Sequence, residues 1–320
     1  MDSKQSKRAI FDAYPVTGLR FNGTTLKIIA VVSMFLDHFG ASIVYAYMCK
    51  NGIKISARDL EGLSLLISIS YTVLRYAGRV AFPIYIFLLT EGFEYTKSRL
   101  KYFLRLLLLA VISEVPFDLA LHRHVWTLNK QNVFFTLSIG FLTIWGCSFV
   151  IRKVKDNAFL ENTALVFCGM LGYVAGVLLK VDYTYTGAVA IAVMYLWRKE
   201  KRVASTILAF ITAGVTMALN SGVKPETFRE TYVSGMVFCM LFLVAALIFP
   251  GLRGPAELAS NGILCISSPG EYFGVFAFLP ILKYDGTRGK CSQLMKWLFY
   301  FFYPIHLGLF AAIMYFCKLF

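Results

Sequence analysis

The run from Leu26 to Met48, LKIIAVVSMFLDHFGASIVYAYM, is almost wholly apolar and long enough, at about 1.5 Å per residue, to cross the roughly 30 Å hydrocarbon core of a bilayer. Such a run constrains the fold more than any other feature. Lipid offers no partners to the backbone, so a spanning segment must satisfy its own N–H and C=O groups, and a helix does so internally. Further apolar runs follow along the chain. Of its 320 residues 58% are hydrophobic and 16% charged, with a mean hydropathy of +0.65. Soluble domains hold about 45 to 50% apolar and about 25% charged residues. The fold class is therefore all-α, a polytopic membrane helix bundle.

Helices are predicted at 26–48, 78–95, 101–121, 132–151, 159–180, 184–198, 203–220, 232–250, about 269–283, and 293–317. Segment 62–74, GLSLLISISYTVL, is too short to cross and is expected to lie at the interface or re-enter. The net charge of +14 invites a nucleic-acid partner, but the basic residues fall in short clusters between apolar spans, which excludes that class. Lys97/Arg99/Lys101, Arg152/Lys153/Lys155 and Arg198/Lys199/Lys201/Arg202 occupy every second loop. With the basic N-terminus they assign to the cytoplasm by the positive-inside rule. Arg288 and Lys290 also read as cytoplasmic, which leaves the parity near 254–268 open and the count at nine or ten spans. Residues 1–25 form a basic cytoplasmic segment with no A-x-A-like cleavage site, and 26–320 a single transmembrane domain. The seven cysteines are scattered, without C-x-x-C or a zinc-like His spacing, so no metal site is expected.

Inside the spans, ionisable residues are expensive and by default mark function. Counted from the basic ends, Asp37, His38, Glu114 and His306 all lie roughly 16 to 18 Å deep, in one layer drawn from three helices. Lipid cannot satisfy such groups, so they should face one another or a water-filled cavity. Asp37 and His38 are neighbours and point about 100° apart, so each needs a partner from another helix. Lys27 and His38 share a face about 16 Å apart. That face suits a ligand with an anionic head outside the core and a reactive tail within it.

Irregular backbone accompanies these residues. Pro116 in SEVPFD should end or bend the third span near Glu114, with Asp118 four residues on, and Pro304 loosens the helix before His306. RVAFPIYIFLLTEGF sets Arg79 and Glu91 near opposite ends of one span, as ligand-binding groups or as a snorkelling or interhelical ion pair. Asp182 reads as a loop charge, His122 and His124 as loop residues, and Gly172 to Gly176 as a helix-packing motif.

The blocks NGTTLKIIAVVSMFLDHFG, GRVAFPIYIFLLTEGF, LRLLLLAVISEVPFDLA, NVFFTL and FYFFYPIHLGLF resemble, in order, those of the TraX family of multi-pass bacterial membrane proteins, named for the conjugative pilin N-acetylase. The family is similar to the wider transmembrane acyltransferases, in which a basic residue and a histidine with ten residues between them lie on the first helix. Lys27 and His38 fit that pattern, with Lys in place of the more usual Arg. The resemblance implies acyl transfer from acetyl-CoA, entering from the cytoplasm, to an amine or hydroxyl of a pilin or cell-envelope polymer or lipid. It further implies His38 as general base or acyl carrier, Glu114 or Asp37 orienting it, Lys27, Arg79 and Glu91 toward the donor, Asp118 toward the acceptor, and His306 and Asn132 toward the acceptor or the oxyanion. Two other classes fit intramembrane Asp, Glu and His: a proton-coupled transporter and a non-catalytic envelope or pilus assembly protein. The mutually dissimilar DHFG, SEVPFD and YPIHL elements count against the internal repeats common in transporters.

Overall fold

Asn22 starts the first helix by accepting the Thr25 backbone N–H at 2.9 Å, which satisfies one of the donors every helix start leaves open. The computed structural model describes residues 20–54, 61–154, 157–183, 186–201, 203–209, 211–212, 273–274 and 276–319. Helix α1 (Gly23–Phe39) passes through a π-helical turn, Gly40–Val44, into α2 (Tyr45–Lys50), giving a 28-residue stretch. The π turn begins two residues after His38, where the Ser42 hydroxyl donates to the His38 carbonyl at 2.5 Å. Its wider winding rotates the side chains that follow.

Helices α3 (Gly62–Gly78) and α4 (Ala81–Tyr95) are joined only by Arg79 and Val80. Together they form a 34-residue apolar stretch, about 50 Å long at helical rise and so longer than a bilayer core. Segment 62–74 is thus part of a longer helix than its hydropathy predicts. Arg75 ends the apolar window, yet its side chain turns toward α1, which α3 packs against at Gly40 and Gly78. A side chain at Gly78 would run into that of Asp37.

Helix α5 (Arg99–Phe117) continues through Pro116 and three residues past Glu114 before widening into a π turn, Asp118–His122. Helices α6 (Val133–Lys153), α7 (Ala158–Leu178) and α8 (Thr186–Arg198) follow, then helical residues 203–209 and 211–212, α9 (Phe278–Leu282) and α10 (Gln293–Phe316). The expected span 232–250 and the undecided stretch 254–268 lie outside the described residues. Among the described residues five stretches are long and apolar enough to cross a membrane, and the protein is a helical bundle.

Helix α8 lies at its centre, with Ile191, Tyr195 and Leu196 buried against Phe93, Phe141 and Leu165 from neighbouring helices. Lipid supplies no hydrophobic drive between helices, so close packing holds them together. Gly140 admits the Ile191 side chain and Gly172 admits Thr143, the packing role expected of the latter. Outward, Leu104, Leu108, Phe149, Phe167, Ile305 and Leu309 are exposed, as in a chain whose solvent is acyl chains.

The two ends of the bundle differ. Phe21 donates to the Lys283 carbonyl at 2.7 Å, Gly23 to Thr287 at 2.8 Å and Thr24 to Arg288 at 3.1 Å, so residues 283–288 clasp the start of α1. Tyr284 reaches Glu91, Lys199 pairs with Glu94, Lys201 with Glu161, and Arg99 bonds Ser148. The basic loops that the sequence groups together therefore share one end with Lys27. At the other end Lys50 donates to the Lys318 carbonyl, Arg123 lies over Tyr45, and Lys130 pairs with Asp182.

Candidate functional site

Helix α1 presents Met34, Asp37 and His38, the π turn Ala41 and α2 Tyr45 to a cavity of about 460 Å³. Arg75, Arg79, Tyr85, His122, Lys130, Asp182 and Tyr303 complete its polar lining. Tyr45, His122, Lys130 and Asp182 belong to the Lys50 end, so the cavity runs from mid-helix toward that end, away from Lys27 and the basic loops.

Asp37 and His38 take partners from different helices. The Asp37 carboxylate pairs with Arg75 of α3 at 2.8 Å, and the Gly78 backbone gives it room. His38 Nδ1 lies 2.7 Å from His306 Nε2 of α10, and His306 Nδ1 lies 2.6 Å from the Phe302 carbonyl one turn earlier. Both rings are buried, at 9% and 3% exposure. Tyr303 stands edge-on to both, with ring centroids 5.4 Å from His38 and 5.8 Å from His306, and Phe35 and Phe310 flank His306. Two ion pairs, Asp37–Arg75 and Lys130–Asp182, line the cavity together with Arg79.

Glu114 sits elsewhere in the bundle. Its Oε2 accepts both the side-chain amide and the backbone N–H of Asn132, while Asn132 Oδ1 accepts the Phe134 N–H at 2.9 Å. Asn132 is thus the N-cap of α6, and the carboxylate lies at the positive end of that helix. Asp118 likewise accepts the Thr127 N–H at 2.7 Å and the His122 Nδ1–H at 3.2 Å, tying the 118–132 loop back onto α5. Asn132→Ala removes the cap and leaves the buried Glu114 under-satisfied, and is expected to cost about 1 to 3 kcal/mol. A thermal midpoint in detergent equal to wild type would contradict that placement.

Glu91 lies at the Lys27 end, bonded to Arg198 and to the Tyr284 hydroxyl at 3.3 Å. Burial and the Glu91 carboxylate push the Tyr284 phenol well above its usual range, so it stays protonated and donates. Lys27 lies 5.8 Å from the Phe299 ring centroid and has no carboxylate partner among the described residues.

The structure therefore gathers Asp37, His38, Arg79 and His306, uses Glu114 and Asn132 at the cap of α6, and uses Asp118 to hold the loop that follows it. Glu91 and Lys27 lie toward the other end. Arg75, Lys130, Asp182 and His122 also line the cavity. Arg75 falls inside a segment whose hydropathy understates the helix, and the other three read from sequence as ordinary loop residues.

No solved structure matches the chain. It is 25% identical over 301 residues, 91% of this chain and 95% of the relative, to the probable fimbrial assembly protein FimC, serogroup H1, of Dichelobacter nodosus. The family profile described as TraX protein matches residues 22–314, from the cap of α1 to the last turns of α10, and the chain belongs to the TraX family.

Proposed function

We propose that the protein is an acetyl-CoA-dependent acyltransferase of the bacterial cytoplasmic membrane, passing an acetyl group to an amine or hydroxyl of a pilin or another cell-envelope acceptor. The observation that carries this reading is His38: an imidazole on the wall of a polar cavity inside an apolar bundle, with one ring nitrogen engaged by a second histidine. The positive-inside rule, applied to the basic loops, supports a cytoplasmic Lys27 end. Lys27, without a carboxylate partner among the described residues, and Arg288 at the start of the same helix offer cations to the donor's phosphates there. The acceptor enters the cavity at the opposite end, where Arg75, Arg79 and Lys130 favour an acceptor carrying anionic or polar groups.

The chemistry is an acyl exchange. His38 takes the acceptor's proton on Nε2 as the acceptor lone pair attacks the thioester carbonyl. The carbon–sulfur bond breaks as the tetrahedral adduct collapses, and the CoA thiolate leaves with that proton. Purified protein in detergent with radiolabelled acetyl-CoA should bind the donor and release CoA when envelope extract is added. Neither binding nor release with any such extract would end the acyltransferase reading.

The relative's description as a fimbrial assembly protein favours a second reading, assembly without chemistry. On that reading His38→Ala leaves fimbrial assembly intact in cells, whereas a transferase loses acetylation of its acceptor.

A further inference from the structure

Hydrogen positions in the histidine pair follow from its partners. The Phe302 carbonyl can only accept, so His306 Nδ1, 2.6 Å away, carries a hydrogen. Neither ring has a carboxylate partner among the described residues, and a charge in this aromatic cage is costly, so the resting pair is neutral. His306 Nε2 therefore presents a lone pair, and the hydrogen in the 2.7 Å contact comes from His38 Nδ1. The rings are parallel to within 9° with centroids 5.0 Å apart. Their 2.7 Å nitrogen contact is shorter than the about 3.5 to 4.0 Å at which stacked faces rest, so they meet edge to edge and nearly coplanar, as a linear N–H···N bond requires. His38 Nε2 is left with its lone pair and with no hydrogen-bond partner among the described residues.

We propose that His306 is a positioning residue: the relay from the Phe302 carbonyl through His306 holds His38 as its Nδ1–H tautomer and keeps the Nε2 lone pair for the acceptor in the cavity. The opposite tautomer would set two lone pairs against each other at 2.7 Å and put a hydrogen on the nitrogen that has to receive one. The aromatic rings around His306 hold the arrangement, since Phe35, Phe302, Tyr303 and Phe310 all lie within 6.1 Å of its centroid. The catalytic consequence rests on the acyltransferase reading, whereas the tautomer itself does not.

Two measurements separate them. With ¹⁵N-labelled histidine in detergent micelles, the four histidines of the chain can be assigned by single substitution. His38 should show a pyrrole-type Nδ1 and a pyridine-type Nε2, and His306 a pyrrole-type Nδ1. A pyrrole-type Nε2 on His38 overturns the proposal, whether or not the protein is a transferase. In the acetyl-transfer assay, His306→Leu should lower kcat about 10- to 100-fold, the scale of losing a partner that fixes a histidine, with the acceptor KM held. His306→Gln can rotate an amide oxygen to the same position and accept from His38, so it should recover to within about threefold of wild type. An unchanged kcat in the Leu variant, or a folded Gln variant no better than Leu, would reject the positioning role.

Discussion

Replacing His38 with alanine is expected to lower acetyl transfer by about 100- to 10,000-fold, the range spanned by the loss of a positioned general base. The thermal midpoint in detergent should move little by comparison. The ring lines a cavity rather than filling a tight core, and truncation enlarges a space that already holds polar groups. His306 would lose its partner, but its Nδ1 bond to Phe302 lies within one helix and survives. Donor binding should persist, because Lys27 and the basic loops lie toward the other end of α1. A variant that turns over at the wild-type rate would remove His38 from the chemistry.

The largest stability effect is expected at the opposite end. Arg198 and Glu91 are 14% and 9% exposed, and Arg198 also donates to the Thr90 hydroxyl at 3.2 Å. Arg198→Met leaves a buried carboxylate with Tyr284 as its remaining partner among the described residues, and breaking such a pair costs about 3 to 5 kcal/mol. The thermal midpoint should fall clearly. The double variant Arg198→Met with Glu91→Leu should recover most of the loss, since apolar residues of similar volume commonly replace a buried pair at little cost. A double variant as unstable as the single one would mean that this end depends on the charges themselves.

Much of the bundle was legible because hydropathy and helix caps are local signals. The first helix was expected from residue 26 and begins at Gly23, and the last was expected over 293–317 and spans Gln293–Phe316. The site was legible in one dimension. Counting residues along a helix gives height in the membrane, and it set Asp37, His38, Glu114 and His306 in one layer. Height does not fix the direction around the helix axis or the position of the helix in the plane. Glu114, counted into the same layer, turns toward the Asn132 cap, whereas His38 and His306 meet. The phase difference between Asp37 and His38 was readable, and the two do go to different helices. Arg75 was hidden because apolar averaging stops at polar residues, although a polar face directed at α1 leaves a helix intact. Lys130 and Asp182 were hidden for a different reason: only the fold shows that two loops meet over a cavity.

The meeting of His38 with His306 also sets a timetable for the protein's birth. The two rings are 268 residues apart, one on the first spanning helix and one on the last. At translation rates of about 5 to 20 residues per second, the earlier ring waits roughly 15 to 50 seconds for the later one. The residues that clasp the start of α1 arrive only shortly before it. A nascent or prematurely terminated chain can thus carry most of the described spans and still lack its paired imidazoles, because the pair forms only once the helix that carries His306 has been made.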